Sequence, residues 1–344
     1  MYSCVAMQIR TPAFPSYSMR LKLNVWTPTK SYVGKKLMAD KPIMEAAQNA
    51  LGAVALDQGY ALETLHKDYQ TRYKVERSLV HEQGEQELFL FENNFFGRML
   101  MLDGVTQLTT SDEPFYHEFI THVPLLCHPN PKNMLVIGAG DGGVLREAVK
   151  HGSLTHIDLV EIDEAVIKFS KTHLPEVSDG AFEDPRVHVT IEDAALFVDR
   201  APQRFYDVVI VDSTDPFGPA APLFEEKFYR KLKTIMRDRG IVITQCGNPF
   251  VQPDELKVAG GRLKSSFEVM SPIMITVPTY TGGQMALGFG SADQNFRLPT
   301  KQHIAEGLKK ITQHQALRVL NEDVFLGAFA LPNFVREAGF AQIS

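Results

Sequence analysis

The first part of the chain carries short segments in which apolar and polar positions alternate. This pattern covers about residues 60–107 and is typical of half-buried strands. The segments with the clearest pattern are Tyr69–Val80, Glu87–Phe91 and Gly97–Asp103. Asp103-Gly104, at the end of the third, is a turn dipeptide. The pattern therefore predicts a small antiparallel sheet.

A helix is predicted next, over Thr110–Leu126. Ser111 offers a capping side chain, and Pro114 fits the first turn. The apolar residues expected to face the core are Phe115, Phe119 and Ile120. Pro129 and Pro131 then mark the junction with the region that follows.

From Lys132 onward, continuous apolar runs alternate with helical segments, which is typical of a parallel, doubly wound α/β sheet. The predicted strands are Met134–Ile137, Thr155–Val160, Val187–Ile191, Asp207–Val211 and Ile241–Gln245. The predicted helices are Leu145–Lys150, Glu164–Thr172, Leu223–Arg237 and Pro253–Phe267. A closing antiparallel hairpin is predicted from Val269–Pro278 and Gln284–Phe289, with helices after residue 300.

These patterns divide the chain into a leader at 1–58, a β-domain at 59–118 and an α/β domain at 119–344. The first 39 residues contain six basic and no acidic residues. That composition leaves open a transit peptide, a disordered leader, or a start at Met38 or Met44.

Composition excludes several classes of protein. The net charge of −6 and the absence of a Lys/Arg stripe argue against nucleic-acid binding. No apolar run approaches the length of a membrane span, and residues 1–58 contain no secretory apolar core. The three cysteines are far apart, which indicates free thiols in a reducing compartment and hence a cytoplasmic protein.

The segment Asn133–Gly143 carries the first candidate chemistry. Gly138, Gly140 and Gly143 have the G-x-G-x-x-G spacing, which fits NAD, FAD and S-adenosylmethionine folds alike. Asp141 lies between these glycines and would repel a pyrophosphate group. We therefore expect a cationic ligand.

Acidic residues recur where the chain leaves each predicted parallel strand, and such strand ends converge on one crevice. They are Asp141, Glu161, Asp163, Asp193, Asp212 and Asp215. Glu161, twenty positions after Asp141, is placed to bind ribose hydroxyls, and Asp193 to accept from an adenine amino group. The remaining carboxylates require a positively charged ligand or a metal, since like charges repel. Helix capping is the alternative for Asp163 and Asp193.

Several segments together resemble the spermidine synthases, the polyamine aminopropyltransferases. They are Glu63–His66, Leu102–Gln107, Asp112–Glu118, Gly138–Glu147, Asp212–Pro219, Pro278–Tyr280 with Gly283, and Ala328–Pro332. The resemblance implies a small antiparallel β-domain followed by a Rossmann-like, class I methyltransferase-type sheet. It also implies a homodimer or homotetramer that transfers the aminopropyl group of decarboxylated S-adenosylmethionine to putrescine. The products are spermidine and 5′-methylthioadenosine, with no metal or redox cofactor.

The resemblance also implies roles for individual residues. Asp212 is the expected catalytic base, assisted by Tyr116. The expected donor-binding residues are Gln86, His117, Asp141, Glu161, Asp193, Ala194 and Pro219. The expected acceptor-binding residues are Asp215, Gln245 and Tyr280. Thr214–Pro222 is the expected lid over bound ligand.

Two departures from the family pattern bear on these roles. Ala194 stands where a glycine is common, and Ala61 stands where many members carry a tryptophan. The second change leaves cadaverine, agmatine or a longer amine open as acceptors. The rival functions are a methyltransferase using intact S-adenosylmethionine, a non-catalytic polyamine-binding relative and, least favoured, a dehydrogenase.

Overall fold

The computed structural model describes residues 55–66, 68–83, 87–213, 223, 225–313 and 316–343. Predictions that fall elsewhere lie outside the described residues. These are most of the leader 1–58, Gln86, Asp215, Pro219 and the lid 214–222. The boundaries given for the three domains stay predictions.

The first described strands are antiparallel, as expected, but they form two small sheets rather than the one predicted. One sheet contains β1 (Ala55–Asp57), β2 (Tyr60–His66) and β3 (Tyr69–Lys74). The other contains, in order, β4 (Arg77–Gln83), β5 (Glu87–Asn93), β6 (Gly97–Leu102) and β7 (Val105–Thr109). The turn between β6 and β7 is Asp103-Gly104, and its φ angles of +48° and +76° suit a two-residue hairpin.

The prediction of one strand over Tyr69–Val80 is wrong, because the chain changes sheets within it. Val75 donates its backbone N–H to Gly59 O at 3.0 Å, and Glu76 donates to Glu92 O at 2.9 Å. Alternation continues across this break, since both halves are half-buried strands. Periodicity alone does not identify the neighbouring strand.

The helix between the two regions, α1 (Pro114–Cys127), begins four residues later than predicted. Glu113 is its N-cap residue, and the helix has no side-chain cap. Tyr116–Cys127 is buried throughout, so the helix is enclosed by other elements. Phe119 and Ile120 face the core as expected, and Phe115 is half-buried.

The large sheet confirms the predicted doubly wound fold. Its strands are β8 (Asn133–Gly138), β9 (His156–Glu161), β10 (Val187–Ile191), β11 (Tyr206–Asp212), β12 (Met236–Gln245), β13 (Val269–Thr276) and β14 (Gln284–Ser291). Their order is β10-β9-β8-β11-β12-β14-β13. The first five are parallel, and β14 is antiparallel to both β12 and β13. Counted from β8, this is the 3-2-1-4-5-7-6 order of class I methyltransferase folds.

Helices cover both faces of this sheet. They are α2 (Gly143–Ala148), α3 (Glu164–His173), α4 (Pro175–Ser178), α5 (Ala194–Arg200), α6 (Glu226–Ile235), α7 (Pro253–Ser266), α8 (Lys301–Ile311), α9 (Glu322–Ala328) and α10 (Asn333–Glu337). Successive side chains of β8 pack into the hydrophobic cores on opposite faces of the sheet. Met134 and Val136 pack with α1, α2 and α8, whereas Leu135 and Ile137 pack with α6 and α7. Burial on both faces explains the continuous apolar run of this strand.

One further helix prediction needs correction. The helix predicted over Leu223–Arg237 is only α6, because Met236 pairs with Tyr206 and begins β12. The short helices α4 and α5 were not predicted. No helix among the described residues is long and apolar enough to cross a membrane.

Candidate active site

The glycine loop after β8 lies against the end of β11. Ala139 donates its backbone N–H to Asp212 O at 2.9 Å. A Cβ on Gly138 would lie 2.0 Å from that same oxygen, and the φ of Gly138 is +78°. Glycine is needed here for both the close approach and the backbone conformation. The first and fourth parallel strands thus bring the loop carrying Asp141 beside Asp212.

The loop also lies against α1. A Cβ on Gly143 would lie 2.2 Å from the ring of His117. Asp141 turns back on the loop, where its Oδ1 accepts the Gly143 N–H at 2.6 Å. The third glycine of the motif therefore allows α1 and α2 to approach closely.

Asp212 is paired with Tyr116, as the proposed catalytic roles require. The Tyr116 hydroxyl donates to Asp212 Oδ1 at 2.7 Å. Burial, followed by the charge of Asp141, raises the pKa of Asp212 to about 6. Burial and the nearby Asp212 raise the pKa of Tyr116 well above its ordinary value, so the phenol stays a donor. Asp212 can thus accept a proton near neutral pH.

His117 lies between two carboxylates. Its Nδ1 is 2.6 Å from Glu113 Oε2, and its Nε2 is 3.5 Å from Asp141 Oδ1. Burial alone would lower the pKa of His117, but Asp141 and Glu113 raise it to about 10. The ring is therefore an imidazolium at neutral pH. Burial opposes ionisation of Asp141, yet His117 holds the pKa of that carboxyl below its usual value.

Arg146 extends this buried chain of charges, which sequence reasoning missed. Its guanidinium donates to both oxygens of Glu113, at 2.8 and 2.7 Å, and its Nε donates to Glu147 Oε1 at 2.8 Å. The spacing of Glu113 and His117, four residues apart on one helix, was the available signal. No signal in the sequence indicates the contact of Arg146 with Glu113, because the two residues lie 33 positions apart.

Glu161 lies at the end of β9, beside the glycine loop. It is only 8% exposed, and its Oε1 accepts the Asp163 N–H at 3.0 Å. A Cβ on Gly140 would lie 3.0 Å from Glu161 Oε2. Burial raises the pKa of Glu161 above its usual value. The capping alternative is confirmed for Asp163, whose Oδ1 accepts the Ala165 N–H at 2.8 Å.

Asp193 also caps a helix. Its Oδ1 accepts the Ala195 N–H at the start of α5, at 2.7 Å. The carboxylate is half-buried, and Ala194 beside it is buried. Adenine binding by these two residues stays a prediction.

Two expected acceptor residues, Gln245 and Tyr280, lie near the Tyr116–Asp212 pair. Gln245 ends β12, one residue beyond the pair formed by Val211 and Thr244, and is therefore adjacent to Asp212 in the sheet. The ring of Tyr280 lies 6.1 Å from the ring of Tyr116. The remaining expected residues, Gln86, Asp215 and Pro219, lie outside the described part of the chain.

Ala61, which stands where many family members carry a tryptophan, is fully buried in the core of the β region with Tyr73, Phe89, Phe91, Met99 and Met101. Its effect on the choice of acceptor amine stays a prediction. Among the described residues, no group of three or more His, Cys, Asp or Glu side chains is arranged to hold a metal ion.

Family models match this architecture over most of its length. Residues 113–300 match the spermine/spermidine synthase domain, and residues 62–110 match the spermidine synthase tetramerisation domain. The chain belongs to the spermine/spermidine synthase family. The resemblance, the fold class and the assignment as an enzyme of this kind are thereby confirmed.

Curated relatives and solved structures agree with this assignment. Polyamine aminopropyltransferase 1 of Pseudomonas aeruginosa is 42% identical over 277 residues, covering 80% of this chain and 96% of the relative. The polyamine aminopropyltransferase of Pseudomonas syringae is 41% identical over 280 residues, with the same coverage. The crystal structure of a spermidine synthase with the transition-state analogue AdoDATO is similar, at TM-score 0.75 and 33% identity. The crystal structure of spermidine synthase from Thermotoga maritima is similar at a TM-score of 0.74 and 34% identity. Both similarities cover 83% of this chain and 96% of the other.

Proposed function

We propose that this enzyme transfers the aminopropyl group of decarboxylated S-adenosylmethionine to putrescine, giving spermidine and 5′-methylthioadenosine. The observation that carries the proposal is the buried Tyr116–Asp212 pair, at 2.7 Å, beside the carboxylate of Asp141. A proton acceptor and an anion lie together at the carboxyl end of the parallel strands. That combination suits a cationic donor and an amine nucleophile.

The donor is assigned to the cleft above β8, β9 and β10. Asp141 binds the aminopropyl ammonium, and its lowered pKa keeps it anionic. Glu161 accepts from the ribose hydroxyls, and the second oxygen of Asp193 accepts from adenine. Ala194 lies beside Asp193, and His117 lies near the donor's tail. Gln86 and Pro219 complete this assignment, although both lie outside the described residues.

The acceptor is assigned to the region beside the packed rings of Tyr116 and Tyr280. Gln245 lines it, and Asp215 anchors the distal ammonium of putrescine. An alkylammonium has a pKa of about 10.4 by analogy with lysine, so the amine arrives protonated. Asp212, with a pKa of about 6, takes one proton and frees the lone pair.

The transfer step then balances without further reagents. The freed nitrogen attacks the methylene carbon attached to the sulfonium, forming the new C–N bond as the C–S bond breaks. The electron pair of that bond goes to sulfur, so methylthioadenosine leaves as a neutral thioether. Because the sulfonium is already an activated leaving group, the proposed reaction uses no metal or redox cofactor. We also propose a cytoplasmic homodimer or homotetramer.

A methyltransferase acting with intact S-adenosylmethionine is the main rival. The intact donor carries a carboxylate, which would face the anionic Asp141, while the charge of His117 is already balanced by Glu113 and Asp141. We expect calorimetry to give a lower Kd for the decarboxylated donor. Tighter binding of the intact donor would contradict the assignment.

The direct test supplies the purified enzyme with decarboxylated S-adenosylmethionine and, in turn, putrescine, cadaverine, agmatine or spermidine. Mass spectrometry follows methylthioadenosine and each aminopropylated product. We expect the highest kcat/KM with putrescine. Preference for another amine would retain the chemistry and reassign the acceptor. Donor binding without methylthioadenosine from any amine would instead indicate a non-catalytic relative.

A further inference from the structure

The loop Val277–Gly283, which carries Tyr280, joins β13 to β14. Its own backbone closes it, since Val277 donates to Gly283 O at 3.2 Å and Tyr280 donates to Val277 O at 3.1 Å. Residues of the β region and of the segment before α1 form hydrogen bonds with its side chains and peptide groups. These contacts join residues far apart in sequence.

Asp112 binds the loop immediately before Tyr280. Its Oδ2 accepts both the Thr279 N–H, at 2.8 Å, and the Thr279 hydroxyl, at 2.6 Å. Its Oδ1 accepts the Thr109 hydroxyl at 2.6 Å. One carboxylate therefore fixes the backbone and the side-chain torsion of Thr279. Asp112 is only 4% exposed, and these three donors compensate its burial.

Glu63 and Tyr73 bind the loop on either side. Glu63 Oε2 accepts the Thr281 hydroxyl at 3.2 Å, while its Oε1 accepts the Thr106 N–H at 2.7 Å. The Tyr73 hydroxyl donates to Thr279 O at 2.6 Å.

Tyr280 is itself attached to the same region. Its hydroxyl donates to Gln107 O, in β7, at 2.9 Å. The aromatic ring is thus held at both ends, by the loop backbone and by its hydroxyl. Its position relative to Tyr116 follows from β-region contacts rather than from the large sheet alone.

We infer that Asp112 and Glu63 are positioning residues for the acceptor amine, acting through Thr279 and Thr281 to hold Tyr280 opposite Tyr116. The inference rests on the proposed function, which places the amine beside these two rings. Neither carboxylate touches the substrate. The β region thereby sets one wall of the acceptor site, while the donor site depends on the ends of β8 and β9.

The test measures KM for putrescine, KM for decarboxylated S-adenosylmethionine and kcat separately. Asp112→Asn removes the negative charge and leaves one acceptor oxygen, so the Thr279 N–H and hydroxyl bond to a neutral amide while its NH2 group faces the Thr109 hydroxyl. Thr279→Val removes only the hydroxyl, whereas Thr279→Ser retains it. We expect Asp112→Asn and Thr279→Val to raise KM for putrescine roughly tenfold, as loss of a hydrogen bond to a charged group implies. KM for the donor should stay within about twofold, and Thr279→Ser should restore the putrescine value.

Asp207→Asn is the matched control. Asp207 is 3% exposed, and its Oδ2 accepts the Lys132 and Asn133 N–H groups at 2.8 and 2.9 Å, at the opposite ends of the strands. We expect Asp207→Asn to lower Tm about as much as Asp112→Asn does, but without the selective rise in KM for putrescine. Calorimetric Kd values for putrescine, in the presence of methylthioadenosine, check the same difference without turnover.

The outcomes separate this inference from the proposed function. An active wild-type enzyme whose Asp112 and Thr279 variants raise both KM values equally, or behave like Asp207→Asn, would overturn the inference alone. A wild-type enzyme that forms no methylthioadenosine with any amine would overturn the proposed function and this inference with it. A selective rise in KM for putrescine, reversed by serine at position 279, would support both.

Discussion

Replacing Tyr116 with phenylalanine should move the acid limb of the pH profile. Asp212 must be ionised to accept a proton, so kcat/KM should fall as pH drops through its pKa of about 6. Burial and Asp141 raise that pKa, while His117 and the Tyr116 hydrogen bond oppose the rise. Tyr116→Phe removes the Tyr116 hydrogen bond, so the pKa of Asp212 should increase.

The size of this shift follows from the hydrogen bond that is lost. A hydrogen bond to a charged group contributes about 1.5–3 kcal/mol, and one pKa unit corresponds to about 1.4 kcal/mol. The acid limb should move upward by roughly one to two pH units. At pH 6 the variant should lose more activity than at pH 8, because a smaller fraction of Asp212 is ionised.

The assay follows methylthioadenosine formation from pH 5 to 9, with putrescine well below its KM. Tyr280→Phe is the matched control, since the Tyr280 hydroxyl donates to the backbone oxygen of Gln107 rather than to a carboxylate. That variant should leave the acid limb in place. Asp212→Asn should remove the limb and lower kcat by a factor of about 10² to 10⁴. An acid limb that does not move in Tyr116→Phe would refute the assignment of Asp212 as the base.

Three further predictions concern the glycine loop and His117. Asp141→Asn should weaken binding of decarboxylated S-adenosylmethionine by roughly tenfold or more, because a charge-assisted bond is lost. Binding of methylthioadenosine, which lacks the aminopropyl group, should not change by calorimetry. Gly143→Ala should lower Tm and activity, because its Cβ would lie 2.2 Å from the His117 ring, whereas Gly152→Ala meets nothing within 4 Å and should lower neither. His117 has a folded-state pKa of about 10, above its ordinary value of 6.5, so its contribution to stability is complete below pH 6.5. That contribution should be lost as pH rises toward 10, and denaturant unfolding of His117→Gln should lack this dependence; an identical profile in the variant would contradict the charged state of the ring.

The charged groups around the donor site alternate in sign. Arg146 lies between Glu147 and Glu113, and His117 lies between Glu113 and Asp141. Each buried ion therefore has a counterion, which reduces the cost of removing it from water. The arrangement keeps Asp141 ionised inside the protein, where an isolated carboxylate would tend to be neutral.

The sequence by itself determined the sheet and the residues at its ends. Apolar runs such as Met134–Ile137 record burial on both faces, and that property follows from local composition and spacing. The positions of Asp141, Glu161, Asp193 and Asp212 after successive strands followed directly, because parallel strands end on one edge. The glycine spacing identified the loop, and the structure shows close approach of other groups at Gly138 and Gly143 of that motif.

The tertiary structure alone decided which distant groups meet. Asp112 looked like part of a helix start, yet its partner Thr279 is 167 residues away. The change of sheet at Val75 and Glu76 and the start of β12 at Met236 also depend on which strands become neighbours. Local periodicity records whether a side chain is buried, but not what it is buried against.

The same limit applies to ionisation. The raised pKa of Asp212 and the charged state of His117 arise from burial and from carboxylates supplied by other elements. Desolvation and Coulomb interactions depend on distances across the fold, and these distances cannot be obtained from the spacing of residues along the chain. The sequence therefore identified which groups could perform the chemistry, and the fold set the protonation states in which they can do so.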